Sequence, residues 1–150
     1  MLDVGSFSFP IRDNSARERS SVANVDVNLP LRILLVEDSA SLRDLIKEFL
    51  QIAGYNVVEA TDGKDALRVA RMHEERIHLL LTDVVMPGMS GPELAKEIKQ
   101  IHPETRILFM SGYTSNAMVH RDVLDEELSL LTKPFTRSRL TQKVREMLTS

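Results

Sequence analysis

One apolar run without alternation constrains the fold of this chain more than any other stretch. Residues 78–88 read His-Leu-Leu-Leu-Thr-Asp-Val-Val-Met-Pro-Gly, so the apolar run reaches Asp83 and loop-forming Pro and Gly follow soon after. A strand that is apolar on both faces is typical of a parallel sheet covered by helices on both sides. The pattern therefore predicts that Asp83 stands at the end of a buried strand, where open α/β sheets bind ligands. A turn aspartate that caps its own loop is the alternative.

Strand patterns and helical patterns alternate over most of the chain. Strands are predicted at residues 31–38, 56–60, 78–83, 106–110 and 128–132. Helices are predicted from residue 39 to Gly54, from residue 63 to about Glu75, from residue 91 to before Pro103, over residues 114–124, and after Thr136. Because crossovers between parallel strands are right-handed and place helices on the faces, this order predicts an α/β fold with one five-stranded parallel sheet.

Caps support two of the predicted helix starts. Asp38 or Ser39 can cap the first helix, whose apolar stripe begins at Leu42. Ser90 and Glu93 have the spacing of a capping box at the start of the third helix.

Length, charge and composition narrow the class of protein. The 150 residues include no Cys, 43% are hydrophobic, and the net charge is −3 with no basic block. We therefore expect no disulfide framework, no Cys-based zinc site and no direct binding of nucleic acid. No apolar run approaches the roughly 20 residues that a membrane span needs, so we expect a cytoplasmic protein with no membrane contact. Residues 1–29 lack a sustained period and are predicted to form a flexible tail or linker before a domain at residues 30–150.

Polar side chains stand at the ends of four of the five predicted strands. They are Glu37 and Asp38, then Asp83, Ser111 and Lys133. Each has an ordinary alternative as a helix cap, a turn residue or a surface charge. If the strands are neighbours, three carboxylates meet at one edge, and a hard divalent cation such as Mg²⁺ would keep them ionised. A lysine and a hydroxyl beside them suit the stabilisation of a phosphoryl group in transfer.

Four motifs together resemble the receiver domain of two-component response regulators, over about residues 31–149. They are Glu37-Asp38, Asp83 followed by Met86-Pro87-Gly88, Ser111-Gly112, and Lys133-Pro134-Phe135. The resemblance implies a flavodoxin-like fold with strand order 2-1-3-4-5. It also implies that Asp83 is the phosphoacceptor and takes a phosphoryl group from phosphohistidine. Ser111 and Lys133 would then bind the phosphoryl oxygens. The implied cofactor is Mg²⁺, held by Glu37, Asp38, Asp83 and the backbone carbonyl of Val85.

The resemblance also assigns modulating positions. Val85 and Tyr113 would flank the phosphoryl group and influence the lifetime of the acyl phosphate, and the bond before Pro134 would be cis. The family couples its serine to an aromatic residue three positions before the lysine, and here that position is Leu130. This departure puts in question whether the domain signals to its partners, as the family does, through the face formed by the fourth helix, the fifth strand and the fifth helix.

The implied function is signal transduction in a two-component system or phosphorelay. The partners would be a histidine kinase or a histidine phosphotransfer protein, together with an unknown downstream protein. The only chemistry would be self-catalysed phosphotransfer and autodephosphorylation, in a monomer or a phosphorylation-dependent dimer. The start at Met1 favours a stand-alone regulator, whereas the residues around Ser111 resemble the terminal receivers of hybrid histidine kinases, which pass phosphate onward.

Two other classes fit the residues less well. An aspartyl-phosphate hydrolase that depends on Mg²⁺ would need an acid two residues after Asp83, where Val85 stands. A dinucleotide-binding module would need a Gly-rich turn after the first strand, and residues 37–41 contain no Gly.

Overall fold

Five parallel strands form one sheet in the order β2-β1-β3-β4-β5 in the computed structural model, which describes residues 30–112 and 130–149. The strands are β1 Arg32–Val36, β2 Asn56–Ala60, β3 Leu79–Asp83, β4 Arg106–Ser111 and β5 Leu130–Thr132. The helices in these ranges are α1 Ala40–Ile52, α2 Gly63–Met72, α3 Gly91–Ile101 and α4 Arg137–Thr149. The predicted fold class and strand order are therefore confirmed.

The sheet has a hydrophobic core on each face. On one face Leu34 and Leu80 pack with the apolar sides of α2 and α3, and on the other Leu79 and Leu81 pack with α1 and α4. These four leucines have no exposed surface. Each buried leucine stabilises the fold by roughly 2 kcal/mol relative to an exposed one. The apolar run before Asp83 thus lies in the centre of the protein, as its lack of alternation predicts.

Helix ends follow the predicted caps, with one correction. The Ser39 hydroxyl accepts from the N–H of Leu42 at the start of α1, and both bonds of the Ser90–Glu93 capping box are present. The predicted end of α2 near Glu75 is wrong, because the helix ends at Met72. The chain must leave the helix there, since Ile77 is fully buried and the N–H of His78 donates to the carbonyl of Arg32 at 2.9 Å.

Three predicted features lie outside the described residues: the tail at residues 1–29, the helix at residues 114–124, and residues 128–129 of the fifth strand. The domain bounds of 30–150 stay a prediction. Among the described helices, none combines the length and the hydrophobicity needed to cross a membrane.

The start of α3 packs directly against the backbone at the end of β3. The N–H of Gly91 donates to the carbonyl of Val84 at 2.8 Å. A Cβ added at Gly91 would overlap the carbonyl oxygen of Asp83 and lie 3.0 Å from the Cα of Val84. Only glycine allows this approach without moving the residue that ends the strand.

We expect Gly91→Ala to lower the free energy of unfolding by about 2 kcal/mol or more, because the added methyl group meets backbone that cannot rotate away. Urea denaturation followed by circular dichroism measures the change. Gly112→Ala is the matched control, since a Cβ at Gly112 has no neighbour within 4 Å among the described residues. Equal stabilities for the two variants would contradict this packing argument.

Candidate functional site

Side chains from three strands meet at the carboxyl edge of the sheet. Glu37 directly follows β1, Asp83 ends β3, and Lys133 directly follows β5. The Nζ of Lys133 lies 2.6 Å from Oδ1 of Asp83 and 3.0 Å from Oε1 of Glu37. Lys133 is therefore not a solvated surface charge, and Asp83 is not a turn residue that caps its own loop.

Three carboxylates crowd this edge. Glu37, Asp38 and Asp83 each offer an oxygen, and these atoms lie within 4.8 Å of one another. Glu37 and Asp83 are buried, whereas Asp38 is exposed. When all three are ionised, Lys133 balances one charge, and two negative charges remain uncompensated. Oxygen donors with this excess charge fit a hard divalent cation such as Mg²⁺.

The same crowding alters the acidity of the carboxylates. Burial raises the pKa of Asp83, and the charge of Glu37 adds to the rise; the hydrogen bond from Lys133 opposes it only in part, so that the pKa is about 7. Burial would also raise the pKa of Glu37, but hydrogen bonds from the Ser39 N–H and from Lys133 outweigh it and hold this pKa below its usual value. Without a metal, Asp83 is therefore the carboxylate that retains a proton near neutral pH.

Hydrogen bonds hold Glu37 at its backbone N–H, at its carbonyl and at its carboxylate. Its N–H donates to the carbonyl of Ala60 at 3.2 Å, and its carbonyl accepts from Nη1 of Arg43 at 2.7 Å. Its carboxylate accepts from Lys133 and from the N–H of Ser39, each at 3.0 Å. Sequence reasoning missed Arg43, although its position one helical turn beyond the cap Ser39 was a usable signal.

Two further predicted site residues lie near Asp83. Ser111 ends the neighbouring strand β4, and Val85 comes two residues after Asp83 in the chain. Ser111 is buried at the end of β4, where Asp83 pairs with Met110 in the strand register. Its carbonyl accepts from the N–H of Lys133 at 2.7 Å, and its hydroxyl donates to the carbonyl of Gly112 at 3.2 Å. Val85 lies in the loop after β3, and its side chain is 66% exposed. The phosphoryl-binding and metal-binding roles of these two residues remain predictions.

The remaining predicted positions lie around this edge. Leu130 pairs with Phe109 in the sheet and packs, half-buried, on the α2 and α3 face. The peptide bond between Lys133 and Pro134 is cis. Tyr113 falls outside the described residues.

The fold and the site together define an α/β domain with a cluster of acids that could hold a metal ion, and with a lysine beside it, at the carboxyl end of its sheet. The chain belongs to the family of response regulator receiver domains, which residues 33–145 match. The resemblance seen in the sequence is thereby confirmed. Receiver domains are signalling phosphoacceptors that interact with histidine kinases or phosphotransfer proteins and generally bind Mg²⁺ through an acidic cluster.

Two curated relatives and one solved structure show the range of the similarity. The chain is 34% identical to the sensor kinase CckA of Brucella abortus, over 89% of the chain but only 14% of the kinase. It is 37% identical to the response regulator receiver protein CpdR of the same organism, over 78% of the chain and 96% of that protein. The chemotaxis response regulator CheY4 of Vibrio cholerae matches with a TM-score of 0.69 and 31% identity, over 80% of the chain and 100% of the solved chain.

The raised pKa of Asp83 predicts how stability changes with pH when no metal is present. Between about pH 4 and pH 7 the folded protein keeps a proton that the unfolded chain has lost, so the free energy of unfolding falls as pH rises. Asp83→Asn removes this titration. Relative to the parent, we expect the variant to gain about 1–3 kcal/mol between pH 5 and pH 8.

Urea denaturation in EDTA at both pH values measures this gain. At pH 5 or above, Glu37 stays largely ionised because its pKa is lowered, so it does not mask the effect. Asp44→Asn, on the exposed side of α1, should keep the pH dependence of the parent. A parallel pH dependence in Asp83→Asn would show that Asp83 does not carry the raised pKa.

Proposed function

We propose that this receiver domain accepts a phosphoryl group on Asp83 from a phosphohistidine donor, in a site that Mg²⁺ completes. The observation that carries this proposal is the contact of one half-buried lysine with the two buried carboxylates Asp83 and Glu37 at the strand ends. Structural ion pairs are usually solvent-exposed or fully balanced. Here two of the three carboxylates are buried and a single lysine leaves a net negative charge, which is the state expected of a site that binds a cation.

The chain's own groups suit the transfer step. A bond forms from the Asp83 carboxylate oxygen to phosphorus while the phosphorus–nitrogen bond of the phosphohistidine breaks, and the donor imidazole leaves as the neutral ring after it takes up a proton from solvent. Lys133 places an ammonium 2.6 Å from the attacking carboxylate, within reach of a phosphoryl oxygen on it. Ser111 would donate its hydroxyl to a second oxygen.

Bound Mg²⁺ would supply positive charge to the crowded carboxylates and to the phosphoryl oxygens. Its ligands would be Glu37, Asp38, Asp83 and the carbonyl of Val85. Of these, the three carboxylates already lie together.

For the place of the domain in signalling, we favour a stand-alone regulator that acts by protein–protein contact with an unknown downstream protein. The similarity to CpdR, 96% of whose length the chain spans, supports this proposal. The second candidate is the terminal receiver of a hybrid histidine kinase. The similarity to the sensor kinase CckA supports it.

We expect the parent protein to acquire hydroxylamine-labile phosphate from acetyl phosphate in the presence of Mg²⁺ and to acquire none in EDTA. Asp83→Asn should acquire none in either condition, because it lacks the nucleophile. Lys133→Ala should react roughly 100-fold more slowly, as expected for the loss of a group that stabilises transferring charge. Intact-protein mass spectrometry over time measures all three.

Asp44→Asn removes an exposed acid of α1 that is not part of the site, and this control should react like the parent. Phosphate uptake by Asp83→Asn equal to that of the parent would overturn the assignment of the phosphoacceptor. Uptake that persists in EDTA would overturn the requirement for Mg²⁺.

Tyr113 is proposed to screen the acyl phosphate from water, on the basis of its place two residues after Ser111. We expect Tyr113→Ala to lose phosphate several-fold faster than the parent once the donor is removed, and Tyr113→Phe to match the parent. Mass spectrometry after rapid desalting gives the two decay rates. Equal rates for Tyr113→Ala and the parent would argue against screening.

A further inference from the structure

Arg43 joins the acidic turn after β1 to the neighbouring strand β2. Its Nη1 donates to the carbonyl of Glu37 at 2.7 Å, and its Nε lies 3.4 Å from Oε1 of Glu59. The side chain is only 16% exposed. Glu59 also pairs with Lys47 at 2.7 Å. One edge of the guanidinium is thus anchored on β2 while the other holds a backbone oxygen of the site.

This backbone oxygen determines the direction of the next residue. Asp38 follows Glu37 directly, is exposed, and within the described ranges has no hydrogen bond or ion pair that fixes its carboxylate. The peptide plane between the two residues fixes the position of the Asp38 Cα, and the carboxylate is carried from that point. Among the described contacts of Glu37, only Arg43 holds that carbonyl.

We infer that Arg43, anchored by Glu59, is a positioning residue for the Mg²⁺ site, because it orients the Glu37–Asp38 peptide and so the exposed metal-ligand candidate Asp38. This inference rests on the proposed function. Arg43 does not itself touch the carboxylates that would bind the ion. It acts through the backbone, as outer-sphere partners of metal ligands do, and removal of such partners typically weakens metal binding about 10–100-fold.

Charge and positioning make opposite predictions for this residue. A cation near a Mg²⁺ site repels the ion, so Coulomb's law alone predicts that Arg43→Met binds Mg²⁺ more tightly. Positioning predicts weaker binding. The sign of the change in Mg²⁺ affinity therefore shows whether Arg43 acts only through its charge or positions the site.

The experiment is a Mg²⁺ titration of the full chain followed by the backbone amide shifts of Ser39 and Asp83 in nuclear magnetic resonance spectra. We expect the dissociation constant of Arg43→Met to rise about tenfold. Arg43→Lys keeps the charge but not the planar fork, and it should not restore the affinity. Lys47→Met removes a cation that pairs with Glu59 but does not touch Glu37, and its affinity should equal or slightly exceed that of the parent.

Phosphorylation by acetyl phosphate gives a second readout. The Mg²⁺ concentration for half-maximal rate should rise in Arg43→Met, while the rate at saturating Mg²⁺ stays within about twofold of the parent. If Arg43→Met does not fold, Glu59→Gln tests the same anchor and should weaken Mg²⁺ binding by a smaller factor.

The outcomes separate the two proposals. A parent protein that binds no Mg²⁺ would overturn the proposed function and this inference with it. A parent that binds Mg²⁺, with Arg43→Met binding as tightly or more tightly, would overturn the inference alone. Affinity restored by Arg43→Lys would also overturn it, since charge would then suffice.

Discussion

The contact of Lys133 with two buried carboxylates is the interaction on which the rest of this site depends. Burial of an ionised acid costs free energy unless charge or hydrogen bonds compensate it. Here one ammonium is shared between Asp83 and Glu37, at 2.6 and 3.0 Å. The lysine compensates the cost of burial only in part, and the remaining cost raises the pKa of Asp83 to about 7. The protein thus holds Asp83 in an environment that favours a proton near neutral pH when no metal is present.

Burial of the sheet explains why this arrangement is geometrically stable. Asp83 ends a strand buried along its whole length, and Gly91 places α3 directly against its carbonyl. The carboxylate is therefore mounted on a strand that cannot shift without disturbing both cores. Arg43 links the end of β1 to β2, and Lys133 links the end of β1 to the end of β5. The groups of the site are therefore held by strands that lie on both sides of β1 in the sheet.

Much of the fold and of the site could be predicted from the sequence, because the strand ends are marked by short local patterns of residues. An apolar run that ends at Asp83, with acids at residues 37–38 and a lysine before Pro134, indicates strand ends, and the family resemblance supplied their order. Other features could not be predicted, because they depend on contacts between distant segments. Two such contacts are the hydrogen bond from Arg43 to a backbone carbonyl and the approach of Gly91 to the Asp83 carbonyl. Neither contact produces a periodic pattern in the sequence. The early end of α2 follows from where Ile77 must be buried.

The proline that follows β5 has a consequence for solubility. Strands at the edge of a sheet offer unpaired backbone groups that can recruit other chains into aggregates. β5 lies at the edge of the described sheet, and Pro134, a residue without an N–H donor, comes two residues after its end. A proline at the end of an edge strand discourages strand addition. Pro134, which adjoins the lysine of the site, therefore also limits unwanted self-association along this edge strand.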